Sequence, residues 1–292
     1  MNTFLQLSVN GLGKGAVYAL LALGFVIIFR ATGVINFAHG SLALIGGYLV
    51  YLTRDSLGYY GAAAVGIAAA GIGALIVERL LISRTRLADP IALALLTIGV
   101  DVIVLEEIVR RLGTNLPFLN APFGNEVIRL GGIAVLRAQL VALVAGAVII
   151  GAFFLAFRYT GWGVAMRAQA ENREASALMG IHSRRVTASA WLVAGALAGV
   201  AVLFIATQDF SGAGLSRATH AIALVAFPAA IIGGLDSTAG AVLGGAIVGL
   251  TEAYSAEYIS FDFSKSAVYI VMLVVLVAVP SGLFGTKELQ RV

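Results

Sequence analysis

The 292-residue sequence contains no cysteine, which excludes disulfides, thiolate metal sites and a cysteine nucleophile and leaves the redox compartment open. Charge is scarce: Asp, Glu, Lys and Arg make up 12% of the chain, roughly half the share of ordinary soluble domains. No Gly-x-x-x-x-Gly-Lys-Ser/Thr segment occurs, so the chain does not hydrolyse ATP through a P-loop of its own. No apolar run carries paired carboxylates at catalytic spacing, a Gly-x-Ser-x-Gly elbow or a His-rich metal motif, which leaves an intramembrane enzyme without support.

What fills the sequence is apolar. Ala, Val, Ile, Leu, Met, Phe, Trp, Tyr and Cys account for 60% of residues, and the mean hydropathy is +0.98. Such a composition specifies a polytopic membrane protein. The apolar runs extend from near residue 4 to residue 284 and leave no segment for a separate soluble core, so residues 1–292 read as one membrane-embedded, all-α domain. The net charge of +4 does not point to nucleic acid, because the basic residues sit in short loops between apolar runs. The first apolar run, about 15–29, lacks a basic n-region and a small-residue cleavage site and is expected to be a retained helix.

At about 20 residues per crossing, spans are expected near 8–29, 36–53, 59–82, 91–110, 132–157, 187–208, 218–235, 239–255 and 266–284, a total of eight or nine. The segments 36–53 and 218–255 are short and Gly-rich, as expected of re-entrant half-helices, which membranes accept only inside protein or along a wet cavity. With the N-terminus outside, the inner segments hold Arg30, Arg79, Arg84, Arg86, Arg158, Arg167, Arg173, Arg184, Arg185, Lys287 and Arg291. The outer ends then hold Arg54, Arg110, Arg111, Arg129, Arg137, Arg217 and Lys265, with Lys14 inside the outer end of the first span. Eleven against seven favours N-out and C-in.

Under that orientation the longest inner loop is 158–186. Within it Asn172 is a good N-cap, Glu174 complements the helix dipole and Gly180 suits a left-handed C-cap, which predicts a two-turn helix over 173–179. Ala175, Leu178 and Met179 share one face of it. That face either packs back on the protein's own helices or waits for a partner.

The pattern from Ala168 through Asn172, Arg173, Glu174, Ala175, Leu178, Met179, Gly180 and Ile181, "AQAENREASALMGI", resembles the coupling-helix signature of ABC importer permeases. Two further stretches, "GLGKGAVYALLALGFVIIFRATGVINFAHGSLALIGGYLV" (11–50) and "AFPAAIIGGLDSTAGAVLGGAIVGLTEAY" (226–254), resemble the branched-chain amino-acid ABC transporter permease family, and the similarity covers nearly the whole chain. The resemblance implies a bacterial inner-membrane permease subunit paired with a second permease, two cytoplasmic ATPases and an external substrate-binding protein, and needing no cofactor. It favours leucine, isoleucine and valine as cargo, although related permeases are associated with other amino acids, urea, amides and aromatic acids. Two places depart from the family: Glu78-Arg79 leads into "LLISRTR" where an aromatic and Arg-Pro are usual, and Asn172-Arg173 stands where Asp-Pro is common. The competing reading is an ion-coupled carrier acting alone, which the short Gly-rich spans and Asp101 suit but which leaves the loop pattern unexplained.

The stretch "GVINFAHGSLAL" gathers Asn36, Phe37, His39, Gly40 and Ser41 at a helix start. They are expected to line the translocation route or its gate; the alternative is that Asn36 and His39 only cap and tie two helices together. Metal binding is disfavoured, since His182 and His220 are far away in sequence and no carboxylate pair lies at ligand spacing. Asp101 falls near the midplane of its span, where an ionised carboxylate costs about 2.5–3.5 kcal/mol, so it must be paired, protonated or hydrated. Glu106 and Glu107 are expected to pair with Arg110 and Arg111 at i, i+4, and Lys14 and Glu252 to snorkel from span ends. Gly195-x-x-x-Gly199, Gly240-x-x-x-Gly244 and Gly245-x-x-x-Gly249 predict close helix packing, with 240–249 also a candidate contact for the second permease. Asp236 in "GGLDSTAG" is a candidate N-cap.

Overall fold

The computed structural model describes residues 2–85, 89–114, 116–120, 122, 126–130, 133–212 and 214–286. Arg86, Lys287 and Arg291, three of the basic residues counted toward orientation, lie outside the described residues.

The fold is built on α1 (Asn2–Thr32), which is apolar all round and therefore central: every residue from Val17 to Ile28 is buried. A following element, α2 (His39–Val77), is two helices broken at Gly58, whose φ of 67° and ψ of 174° no L-residue adopts cheaply. The halves fold back on each other, with Gly46 against Gly66 and Ala70, and Leu42 against Gly73. The second half runs on through a π-helical turn, Glu78–Ile82. Helix α3 (Pro90–Leu112) starts where the Asp89 side chain accepts from the Ile91 N–H at 2.9 Å, with proline at the first helical position, and stops at Gly113.

An antiparallel hairpin follows, β1 (Val127–Leu130) with β2 (Ile133–Leu136), Val127 opposite Leu136. The rest is helical: α4 (Arg137–Tyr159), α5 (Gly161–Glu171), α6 (Arg173–Leu178), α7 (Ser183–Ile205), α8 (Gln208–Ser211), α9 (Arg217–Gly233), α10 (Thr238–Tyr258) and α11 (Ser264–Ala278). Among the described residues five helices are long and apolar enough to cross a membrane, counting α2 as one, and α9 and α11 are shorter apolar helices. Outward faces of α3, α4 and α11 keep large apolar side chains uncovered, among them Ile103, Val148 and Val277. Water would oppose such faces and lipid does not.

Small residues bring the backbones together. A Cβ added at Gly245 would sit 2.6 Å from the Ala19 nitrogen, and one at Gly15 would sit 2.9 Å from the Gly245 carbonyl oxygen, so α1 and α10 touch main chain to main chain. Gly240 and Gly244 make the same contact with Gly233 and Ala229 of α9, and Gly195 and Gly199 with Ala70 and Ile67 of α2.

Several expectations need correction. The fold is not purely helical, because the span expected from residue 132 begins only at Arg137, and 133–136, rich in apolar residues, pair as a strand with 127–130. Apolarity alone does not distinguish the two. The stripe 240–249 is consumed inside the chain by α9 and α1, which leaves neither of its glycine faces for another subunit. The cap of α10 is Ser237, accepting from the Gly240 N–H at 3.0 Å, while Asp236 accepts from the Thr286 N–H at 2.8 Å.

Overpacking this seam costs about 1–3 kcal/mol. Gly245→Val is therefore expected to lower the thermal unfolding midpoint of the detergent-solubilised chain, whereas Gly99→Val, with nothing within 4 Å of its added Cβ, is expected to leave it unchanged. Equal midpoints for the two variants would show that the α1–α10 contact is not tight.

Candidate functional site

The loop between α4 and α7 is built in two parts. Its first part is anchored: Thr160 caps α5, Trp162 Nε1 donates to Ser189 Oγ at 2.8 Å, and Gln169 Nε2 donates to the Ala31 carbonyl at 2.8 Å and to Thr187 Oγ1 at 3.1 Å. The Arg167 guanidinium donates to the Phe157 carbonyl and lies 5.3 Å from the Phe157 ring centre, with Arg30 at 5.6 Å from that ring. The sequence pattern predicts loop, not helix, over 161–171. The missed signal is a Thr N-cap followed by Trp162, Met166 and Gln169 at helical spacing, the residues that touch the bundle.

The second part projects. Asn172 Oδ1 accepts from the Ala175 N–H at 2.9 Å and opens α6, and Glu174 sits in its first turn. At the other end the Ile181 N–H reaches the Ser176 carbonyl and the Gly180 N–H the Ala177 carbonyl, both at 3.0 Å, with Gly180 at φ 84°. Those paired bonds are a Schellman motif, and Ile181 completes it by packing on the core. Ser176 is the buried residue of α6, while Leu178 is 89% exposed and Met179 83% exposed. The apolar face is thus not packed on the protein's own helices.

Inside the bundle the segment after α1 turns back along it. The His39 ring meets α1 at Gly24, where an added Cβ would sit 2.5 Å away, and Gly24 is about 12 Å along the helix from Thr32. Asn36, His39 and Ser41 are fully buried. Asn36 Oδ1 accepts from the Ala38 N–H at 3.1 Å, Ser41 Oγ donates to the Ala38 carbonyl at 2.9 Å, and the Phe37 N–H reaches Thr97 Oγ1 of α3 at 3.0 Å. Among the described residues the Asn36 amide nitrogen has no hydrogen-bond partner, and the His39 ring approaches the Leu21 backbone. Phe25, Phe37, His39 and Phe227 form one aromatic cluster, Phe25 lying 4.6 Å from the His39 ring.

Asp101 has a partner that the sequence hid. His220 Nε2 lies 3.0 Å from both its carboxylate oxygens, and Gly40 passes so close that an added Cβ would be 2.8 Å from His220 Cδ2. Glu106 pairs across to Arg217 of α9 instead of to Arg110, and Glu107 takes both Arg110 and Arg111. Thr97 fastens α3 to the 35–37 segment, and Asp101 and Glu106 fasten it to α9. Lys14 and Glu252 do not snorkel: they pair at 2.7 Å, and Tyr18 Oη donates to the second Glu252 oxygen at 2.5 Å. Among the described residues no three His, Cys, Asp or Glu side chains cluster as a metal site.

The loop thus has an anchored base, α5, and a projecting helix, α6, whose apolar side chains are uncovered. A family model described as the permease component of branched-chain amino acid transport systems matches residues 7–280. The chain belongs to that family. This permease is 28% identical to the high-affinity branched-chain amino acid transport system permease protein LivH of Escherichia coli K12, over 99% of its own length and 98% of that protein's. It is 28% identical, over the same shares, to BraD of Pseudomonas aeruginosa, a permease protein of the same description. The probable branched-chain amino acid transport permease LivH of Methanocaldococcus jannaschii is 30% identical, with 93% and 90% covered. Among solved structures, PsaBC from Streptococcus pneumoniae in complex with Fab superposes with a TM-score of 0.51 at 13% identity, covering 94% of the permease and 91% of that chain, which is a likeness of fold. Family and apolar helices together make it a multi-pass membrane protein.

The Asp101–His220 contact generates a prediction. In a cycle of Asp101→Ala, His220→Ala and the double variant, thermal unfolding is expected to show a coupling of about 1 kcal/mol, within a usual range of ~0.5–3 kcal/mol for touching polar groups. Strict additivity would mean that the two side chains do not support each other.

Proposed function

We propose that the permease is one translocation subunit of an ATP-driven importer of branched-chain amino acids in the bacterial inner membrane. It works beside a second permease subunit, two cytoplasmic ABC ATPases and an external substrate-binding protein. The observation that carries this reading is α6: a capped two-turn helix, seated on the anchored α5, whose Leu178 and Met179 are the side chains an ATPase groove would take. Closure of the ATPases on nucleotide would push α6, and the anchored α5 would pass the displacement to α1 through Gln169 and Ala31.

In this reading nine segments cross the bilayer: α1, the two halves of α2, α3, α4, α7, α9, α10 and α11. The N-terminus is outside and α6 is cytoplasmic, with the loops at 33–38 and 234–237 on the same side as α6. The buried segment Asn36–Ser41, its aromatic cluster and Asp101 form the gate on the route. Their burial within one chain is what a closed gate requires, and the Asn36 amide nitrogen and the buried His39 ring supply the polar surface on opening. Selection of the cargo rests largely with the binding protein, and leucine, isoleucine and valine are the expected substrates.

Leu178 and Met179 are exposed, so replacing both by Asp is expected to leave insertion and unfolding temperature unchanged. The same variant is expected to lower leucine uptake into cells by roughly tenfold or more and to lose co-purifying P-loop ATPase, as hot-spot truncation does. Glu174→Lys and Gly180→Pro, which damage the two ends of α6, are expected to act likewise. Full uptake by the Asp variant, or ion-driven uptake by the chain purified alone, would refute the coupling role.

A further inference from the structure

A cavity of about 650 Å³ opens between the end of α1, the α5–α6 junction and the α9–α10 turn. Its volume is that of an ordinary small-molecule site. Four charged side chains line it, Arg30 and Arg173 of one sign and Glu171 and Asp236 of the other. Among the described residues no ion pair joins any two of them. Opposite charges placed around one space without closing on each other leave both signs available to a guest.

Gln169, only 4% exposed, closes one side of the cavity; its amide nitrogen is spent on Ala31 and Thr187, and its Oε1 lies buried beneath the lining. Between the charges the lining is mixed: Phe29, Ala31, Ala170, Ala239 and Phe284 are apolar, and Thr32, Ser237, Thr238 and Thr286 carry hydroxyls. Asp236 spends one carboxylate oxygen on Thr286, which holds the acid in place and leaves its other oxygen for a guest.

We propose that this cavity binds a free zwitterionic α-amino acid with an apolar side chain. The carboxylate is held by Arg30 and Arg173, and the ammonium by Asp236 and Glu171. The side chain lies along Phe29 and Phe284. A lone anion would leave the two acids unmatched and a lone cation the two arginines, so charge complementarity selects the zwitterion. The site rests on the transport reading for the identity of the amino acid, and it adds a place where cargo meets the loop that carries α6. A guest seated there bridges α1, α10 and Arg173 at the first residue of α6, and so ties coupling-loop position to the amino-acid concentration on that face.

The test is equilibrium binding of radiolabelled L-leucine to the full chain, purified in lipid nanodiscs with whatever subunits accompany it and without a binding protein. Arg30→Gln and Asp236→Asn serve as variants on two different elements. Saturable binding is expected, weakened at least about tenfold by each variant, as loss of a charge-assisted bond predicts. Neither 4-methylpentanoate, which lacks the ammonium, nor 3-methylbutylamine, which lacks the carboxylate, is expected to compete at concentrations where leucine does. A photoreactive leucine analogue is expected to label peptides containing 29–33, 169–173 or 236–239. Binding unaffected by both variants, competition by either half-molecule equal to leucine, labelling elsewhere, or no binding by a well-folded chain would each overturn the site. Vesicle uptake of leucine with the binding protein present separates the two ideas: uptake without cavity binding defeats only the site, and no uptake of any branched-chain amino acid defeats the transport reading.

Discussion

Backbone contact around α1 is the constraint on which the structure depends. In lipid, a leucine gains little by leaving the hydrocarbon for a protein interior, so helices associate through close van der Waals approach and through polar groups that need partners. Gly11, Gly15 and Gly24 bring the α10 main chain and the His39 ring against α1, while Gly146 of α4 would place a Cβ 2.9 Å from Ala16. A side chain at any of these positions would hold its neighbour off. The central helix is therefore the surface on which α4, α7, α9 and α10 are assembled, and its complete burial from Val17 to Ile28 follows from that.

Polar side chains then set register and orientation. Lys14, Tyr18 and Glu252 tie α1 to α10 at one level; Asp101 and His220 tie α3 to α9, with Gly40 of α2 packed against the histidine. Each tie is costly to break because its members are at least partly withdrawn from solvent and lipid offers no substitute bond. The contrast with α6 is instructive. There the polar groups only close the ends of a two-turn helix, and its apolar side chains are left outward, an arrangement that is stable only because Asn172 and Gly180 stop the chain at both ends and α5 holds the base.

Local signals were legible where the physics is local. Asn172 as cap and Gly180 as left-handed terminus specify α6 within a turn of where it lies, since capping involves atoms three to five residues apart. Asp101 as an intramembrane carboxylate demanding a partner was equally legible, but the partner was not: His220 is 119 residues away, and no periodicity relates the two. The same holds for Glu106, whose reach to Arg217 beats an intrahelical pair that its own helix offered, and for Lys14 with Glu252. The 240–249 glycines announced close packing correctly, yet which neighbour they meet depends on how α9 and α1 arrive.

By itself the sequence determined that the chain is a bundle of apolar helices, where most of them lie, and that one short charged segment carries a capped helix out of the bundle. Those follow from hydropathy and from hydrogen bonds closed within a few residues. Only the tertiary structure decided that α1 is the centre, that the segment after it folds back to bury His39, which charges neutralise which, and that Arg30, Arg173, Glu171 and Asp236 surround one cavity. These depend on pairings between residues far apart in the chain, and in a protein whose helices are nearly all apolar, the pattern of one helix holds almost no record of which face its neighbour will choose.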